Sequence, residues 1–157
     1  MRFTKRIIAA IAGIAVCAGL TACGSTRSGA SSSDEKIEKG ATIGISMPTK
    51  SEERWNKDGN NLKKKLEAAG YKVLLSFADD KPAQQNADIE NMVNNNAKIV
   101  VVASKDGTAV GPAVEKARDA GAKVIAYDRL IMNTDAVDYY ATFQLEQTGV
   151  LEATWLI

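Results

Sequence analysis

The sequence predicts an α/β fold built on a doubly wound parallel sheet, and three observations carry that expectation. Short runs rich in Val, Ile and Tyr alternate with helical patterns from Thr42 onward. The first four runs begin roughly 25–30 residues apart, which is the length of one strand-helix unit. Two of them, Ile99-Val100-Val101-Val102 and Val124-Ile125-Ala126, are almost wholly apolar, as parallel strands covered by helices on both faces must be.

Taken in order, strands are expected at Thr42–Met47, Tyr71–Phe77, Lys98–Ala103, Lys123–Tyr127 and Tyr139–Phe143. A first helix over Arg54–Ala69 carries Trp55, Leu62, Leu66 and Ala69 on one face and leaves Lys63-Lys64-Lys65 to solvent, with Gly70 as its stop. Pro82 and Pro112 each suit a first helical turn, where a missing N–H costs nothing. The helix after Pro82 is expected to bury Ile89, Met92 and Val93. The next is expected to bury Val110, Ala113, Val114 and Ala117 before Gly121. Asp79-Asp80 is expected to cap the helix that begins at Pro82. Near the end of the chain, Trp155 is expected to pack on the sheet.

Composition removes several classes of function. The 157 residues are 45% hydrophobic, 25% charged and 6% aromatic, which suits a folded domain and neither a fibrous nor a disulfide-stapled chain. There are 20 basic and 19 acidic residues, so charge gives no reason to expect nucleic acid as a partner. The chain has no His, which excludes imidazole as general base or zinc ligand and with it Ser-His-Asp hydrolysis. Neither GxxxxGK[ST] nor GxGxxG occurs, and Asp106-Gly107-Thr108 is too short to cradle a pyrophosphate. No enzyme activity, cofactor or metal is expected.

Residues 1–22 read as a signal peptide: cationic Arg2, Lys5 and Arg6, an apolar stretch from Ile7 to Leu20, and small residues before Cys23. The apolar stretch is too short to cross a bilayer as a helix, which takes about 20 residues. Leu20-Thr21-Ala22-Cys23 resembles the bacterial lipobox, which implies a lipid anchor on Cys23. Cys17 would leave with the peptide, so no disulfide is expected in the folded part. Residues 23–40 are rich in Ser, Gly and charge and read as a flexible tether. The folded lobe is expected over residues 41–157, outside the cytoplasm and held to the membrane by the lipid.

Parallel α/β sheets place ligands outside the carboxyl ends of their strands. Those ends carry Lys50 and Arg54-Trp55 after the first strand, Asp79-Asp80 after the second, Lys105-Asp106 after the third and Asp128-Arg129 after the fourth. A neutral polyol fits such a set. Carboxylates accept from adjacent hydroxyls, a guanidinium donates in a fixed fork, and an aromatic face meets the C–H side of a sugar. Arg54, Trp55, Asp128 and Arg129 supply all three, with Lys50 and Asp106 completing the candidate set. The same residues also fit plainer roles: Trp55 as a core residue, and Asp128-Arg129 as a solvated turn or mutual ion pair.

Met47-Pro48-Thr49-Lys50, Glu53-Arg54-Trp55, Asp58-Gly59-Asn60-Asn61, Phe77-Ala78-Asp79-Asp80, Gln84-Gln85, Ile89-Glu90-Asn91-Met92-Val93, Ala103-Ser104-Lys105-Asp106-Gly107-Thr108 and Ile125-Ala126-Tyr127-Asp128-Arg129-Leu130-Ile131 together resemble the substrate-binding proteins of bacterial sugar ABC transporters, in the xylose and multiple-sugar group. The resemblance runs from about Ala41 to Phe143. It implies a periplasmic-binding-protein type I fold of two lobes closing on a monosaccharide, which is then handed to a membrane permease. It also implies that Arg54, Trp55, Asp128 and Arg129 face the sugar. Family members continue after the fifth strand with Asp-Asn, where this chain has Gln144-Leu145. The sequence ends at Ile157 in what reads as the next helix of the first lobe, so the second lobe is expected to be absent, by truncation, frameshift or partial sequence. Presentation of the sugar to a membrane sensor kinase, or an inactive remnant, remain open beside import.

Cells fed a clickable fatty acid are expected to label this protein, and a Cys23→Ser variant is expected to lose the label. An unlabelled wild type would remove the lipid anchor.

Overall fold

The computed structural model describes residues 37–156, so the signal peptide, Cys23 and most of the tether lie outside the described residues. Five strands appear: β1 (Thr42–Met47), β2 (Lys72–Phe77), β3 (Ala97–Val102), β4 (Lys123–Tyr127) and β5 (Tyr139–Ala141). The helices are α1 (Glu53–Ala68), α2 (Pro82–Asn94), α3 (Gly111–Asp119) and α4 (Leu145–Leu156). The strands form one sheet in the order β2-β1-β3-β4-β5, every pair parallel. This is the predicted α/β class, with boundaries moved by a residue or two; the fifth strand stops at Ala141, short of Phe143.

Alternation along the strands divides the core in two. Val100 and Val102 join Ile89, Met92, Val114 and Val124 in the cluster under α2 and α3. Val101 and Ala103 join Ile43, Ile45, Met47 and Trp55 in the cluster under α1. Successive strand residues point to opposite faces, so a run such as Ile99 to Val102 has to be apolar throughout to serve both. Gly70 takes the left-handed conformation (φ 94°) that ends α1, as the sequence indicates.

Four expectations are corrected. Ala69 is exposed; the tight contact on the inner face of α1 is Gly59, where a Cβ would lie 3.1 Å from Leu75 and 3.2 Å from Met47. Asp79 and Asp80 do not cap α2: Lys81 occupies the cap position with no side-chain cap bond, because Asp79 (φ 49°) and Asp80 (φ 62°) turn the chain left-handed before it. Ile37–Gly40, assigned to the tether by composition, touch the domain, with the Gly40 N–H donating to the Gly70 carbonyl at 2.7 Å. Trp155 does not pack on the sheet. It is 90% exposed, on a helix with no buried residue. The cause is the apolar spacing: at about 100° per residue, Leu145, Val150, Leu151 and Trp155 scatter around α4 and make no stripe.

A buried polar latch joins α2 to the central strands. The Gln85 amide, 1% exposed, donates to Ser46 Oγ at 3.2 Å and to the Ala103 carbonyl at 2.9 Å, and its Oε1 accepts from the Lys105 N–H at 2.8 Å. A Gln85→Leu variant leaves those groups without partners and is expected to lose about 2–4 kcal/mol in urea unfolding. A loss under about 0.5 kcal/mol, the level of a neutral surface change, would refute the latch.

Candidate functional site

Because all five strands run the same way, their carboxyl ends share one edge of the sheet, and the loops there bring together residues far apart in sequence. The chain leaves β1 through buried Pro48 and Thr49 and enters α1, whose first turn carries Arg54 and Trp55. It leaves β4 through Asp128, in the left-handed region (φ 63°), and Arg129. The Asp128 turn is pinned to β5: its N–H donates to the Ala141 carbonyl at 2.7 Å, and its carbonyl accepts from the Tyr140 hydroxyl at 3.0 Å.

These two loops meet in one cluster. Arg54 Nη2 donates to Asp128 Oδ1 at 2.5 Å, and Arg54 Nε lies 3.6 Å from Asp58 one turn along α1. Arg129 Nη1 donates to the Ser104 carbonyl at 3.1 Å. Both guanidiniums lie on the Trp55 ring, with centroid distances of 4.5 Å for Arg54 and 5.0 Å for Arg129. The ring is only 1% exposed, and its N–H donates to Glu52 Oε2 at 3.0 Å. Trp55 is therefore a core residue that also supports the cluster: its buried ring orients two cations, and they cover its face, so the expected open aromatic face is not offered. The hydrogen bond to Asp128 holds the Arg54 pKa above its ordinary value, so its charge is secure. Burial first, then the Asp58 charge, push the neighbouring Tyr127 hydroxyl up, so it stays protonated as a donor.

Arg54, Trp55, Asp128 and Arg129 are thus brought together, and two other candidates are not. The Lys50 ammonium sits 5.2 Å from the Phe77 ring, over the β2 edge of the sheet. Asp106 spends its carboxylate locally, with Oδ1 accepting from the Thr108 and Ala109 N–H groups at 2.8 and 2.9 Å. The residue of that loop that reaches across the edge is Lys105, whose Nζ pairs with Asp80 at 2.7 Å. That pair holds Asp80 below the ordinary carboxylate range. The third and fourth strand-end loops are locked by Gly107: a Cβ there would stand 2.4 Å from the Leu130 carbonyl oxygen, and the Gly107 carbonyl accepts from the Met132 N–H at 2.8 Å.

Sequence reasoning missed two contributors. Gln85, quoted within a motif, sets the Lys105 backbone from below. Phe143 flanks the cluster, 55% exposed, with its ring centroid 5.4 Å from the Arg54 guanidinium. Phe143, expected as the last residue of the fifth strand, lies two positions past its observed end; nothing in the sequence distinguished Gln85. Among the described residues, no group of three His, Cys, Asp or Glu is placed to hold a metal ion. As a chemical surface, the cluster offers fixed guanidinium donors and a carboxylate with lone pairs beyond the one Arg54 takes.

The model of the periplasmic binding protein domain matches residues 43–157. The chain belongs to that family. It is 50% identical over 116 residues to the multiple sugar-binding periplasmic protein SbpA of Azospirillum brasilense, covering 74% of this chain and 32% of that one. It is 51% identical over 116 residues to the multiple sugar-binding periplasmic receptor ChvE of Rhizobium radiobacter, covering 74% of this chain and 33% of that receptor. Among solved structures, an ABC transporter solute binding protein from Clostridium phytofermentans with bound β-D-glucose superposes with a TM-score of 0.69 at 46% identity, covering 73% of this chain and 35% of that one. The chain thus spans about a third of the length of the curated relatives it matches.

The two backbone bonds to Asp106 hold its carboxyl below the ordinary carboxylate range. A depressed folded pKa gives stability that is present above the unfolded value, about 3.9, and is lost as pH falls through the folded one. Asp106→Ala is therefore expected to melt below wild type at neutral pH, with the gap closing as the pH drops beneath about 4. Melting curves followed from pH 7 to the lowest pH at which the protein still melts decide this, and a gap that stays constant would show that the charge plays no part.

Proposed function

We propose that this chain is part of an extracytoplasmic binding protein that captures a monosaccharide for an ABC import permease, with Arg54, Asp128 and Arg129 as the groups that meet the sugar hydroxyls and Trp55 as the platform beneath them. The single observation that supports it best is the Arg54–Asp128 pair, formed from loops 74 residues apart and stacked with Arg129 on one ring. Mutually bonded donors and acceptors at a strand-end edge suit a ligand that presents several hydroxyls and no net charge. Family membership supports the same reading, since relatives at about half identity are named as sugar-binding and one solved neighbour holds β-D-glucose. A binding role is favoured over catalysis because the relatives at about half identity are named as sugar-binding proteins. The lipid on Cys23 belongs to the proposal too: it would keep the binding lobe at the membrane surface where a permease sits.

The chain has two tryptophans, so Trp155→Phe leaves Trp55 as the sole indole reporter. Titrating that variant with D-glucose and D-xylose is expected to change the Trp55 emission. Adding Asp128→Ala is expected to weaken the response roughly 10- to 100-fold, the worth of one charge-assisted hydrogen bond. No response to either sugar would overturn the reading.

A further inference from the structure

Helices that connect parallel strands run back against them, so the amino edge of the sheet gathers the strand starts together with the helix carboxyl ends. That edge, opposite the one carrying Arg54 and Asp128, is rich in lysine. Lys72 and Lys98 stand at the starts of β2 and β3, Lys64 and Lys65 in the closing turns of α1, and Lys39 beside Gly70. Thr42 is level with both Lys72 and Ala97, which puts β2 and β3 two strands apart, about 10 Å. All five lysines are exposed, and among the described residues none of them is in an ion pair. The acids at this edge are mostly spent: Glu67 is held by Lys63, Asp119 and Asp135 by Arg118, and Asp138 by Lys123, which leaves Glu38. At the carboxyl edge acids meet the cations instead, with Asp128 on Arg54, Glu53 on Lys57 and Asp80 on Lys105. Attraction to the negative end of α1 accounts for Lys65. It does not account for Lys39, Lys72 and Lys98, which lie on no helix.

From this asymmetry we infer that the amino edge is a contact surface for an anionic lipid bilayer, with Lys39, Lys64, Lys65, Lys72 and Lys98 over the headgroup phosphates. A second observation agrees with the charge. The described domain begins at Ile37, whose carbonyl accepts from the Tyr71 hydroxyl at 3.5 Å, so the chain leading back toward Cys23 joins the lobe at this same edge. The residue type fits as well: an ammonium on a flexible stem follows a fluid surface, whereas fixed recognition of one phosphate calls for the guanidinium fork. The inference goes beyond the sugar-binding reading and rests neither on it nor on the lipid at Cys23. Its consequence is an orientation: the carboxyl edge, with Arg54 and Asp128, is turned away from the bilayer and toward solvent.

The test is lysine acetylation of the full chain, read residue by residue by mass spectrometry, on vesicles of phosphatidylcholine alone or with a third of the lipid as phosphatidylglycerol. On the anionic vesicles at about 0.15 M salt, labelling of Lys64, Lys65, Lys72 and Lys98 is expected to fall by about five-fold. Lys50, Lys57 and Lys81, at the other edge, are expected to label equally on both. Raising the salt to about 1 M is expected to restore the labelling of the protected four. A variant carrying Lys64→Gln, Lys65→Gln, Lys72→Gln and Lys98→Gln is expected to lose the protection of Lys39 while unfolding in urea as wild type does, because all four side chains are exposed. If wild type labels alike on the two kinds of vesicle, or if Lys50, Lys57 and Lys81 are protected to the same degree, the lipid contact is wrong and the sugar-binding reading is untouched. Equal protection by duplex DNA at matched phosphate would make the edge a general polyanion surface and overturn the lipid assignment.

Discussion

A parallel strand covered on both faces has no solvated side, so every residue in its middle has to be apolar and every polar group is driven to its ends. In this chain the rule is nearly absolute for β3, where Val100, Val101 and Val102 are all buried. The charges displaced from the sheet collect at the carboxyl edge, where Arg54, Asp80, Lys105, Asp128 and Arg129 find one another across loops that follow four different strands. The core and the site are thus two results of a single constraint. The buried ring of Trp55 joins them, being part of the α1 cluster on one side and the support of two guanidiniums on the other.

The layer that supports the cluster is tied largely to backbone groups. Arg129 is held by the Ser104 carbonyl, Lys105 by the Gln85 amide, and the Asp128 turn by Ala141 and Tyr140. Side chains on long stems lose rotamer freedom when ordered, and bonds to fixed carbonyls spread that cost over elements that are rigid already. Of the five left-handed non-glycine residues among the described residues, three fit the same pattern: Asp79, Asp80 and Asp128 follow strand ends, where a short polar side chain tolerates the turn that aims its neighbours.

The fold was legible in the sequence because period and punctuation agreed: apolar runs of strand length, Pro at helix starts and Gly at helix stops. The site was legible at the level of which strand ends carry chemistry, and Arg54, Trp55, Asp128 and Arg129 do converge. Direction was not legible. Whether Lys50 leans toward Asp128 or over Phe77, and whether Asp106 reaches outward or caps its own turn, depends on a few degrees of backbone that sequence spacing does not encode. The exposure of Trp155 escaped for a different reason. An apolar residue argues for burial only within a stripe, and α4 has none.

The strand order carries a consequence for how the chain assembles. β1 comes first and ends near the middle, β2 and β3 flank it, and β4 and β5 extend the β3 side outward. Each strand therefore docks on an edge that already exists when it arrives, and none has to wedge between two that are paired. A chain delivered from its amino end can grow its sheet one strand at a time in the order of delivery, and the bond between Arg54 and Asp128 closes only once the fourth strand is seated.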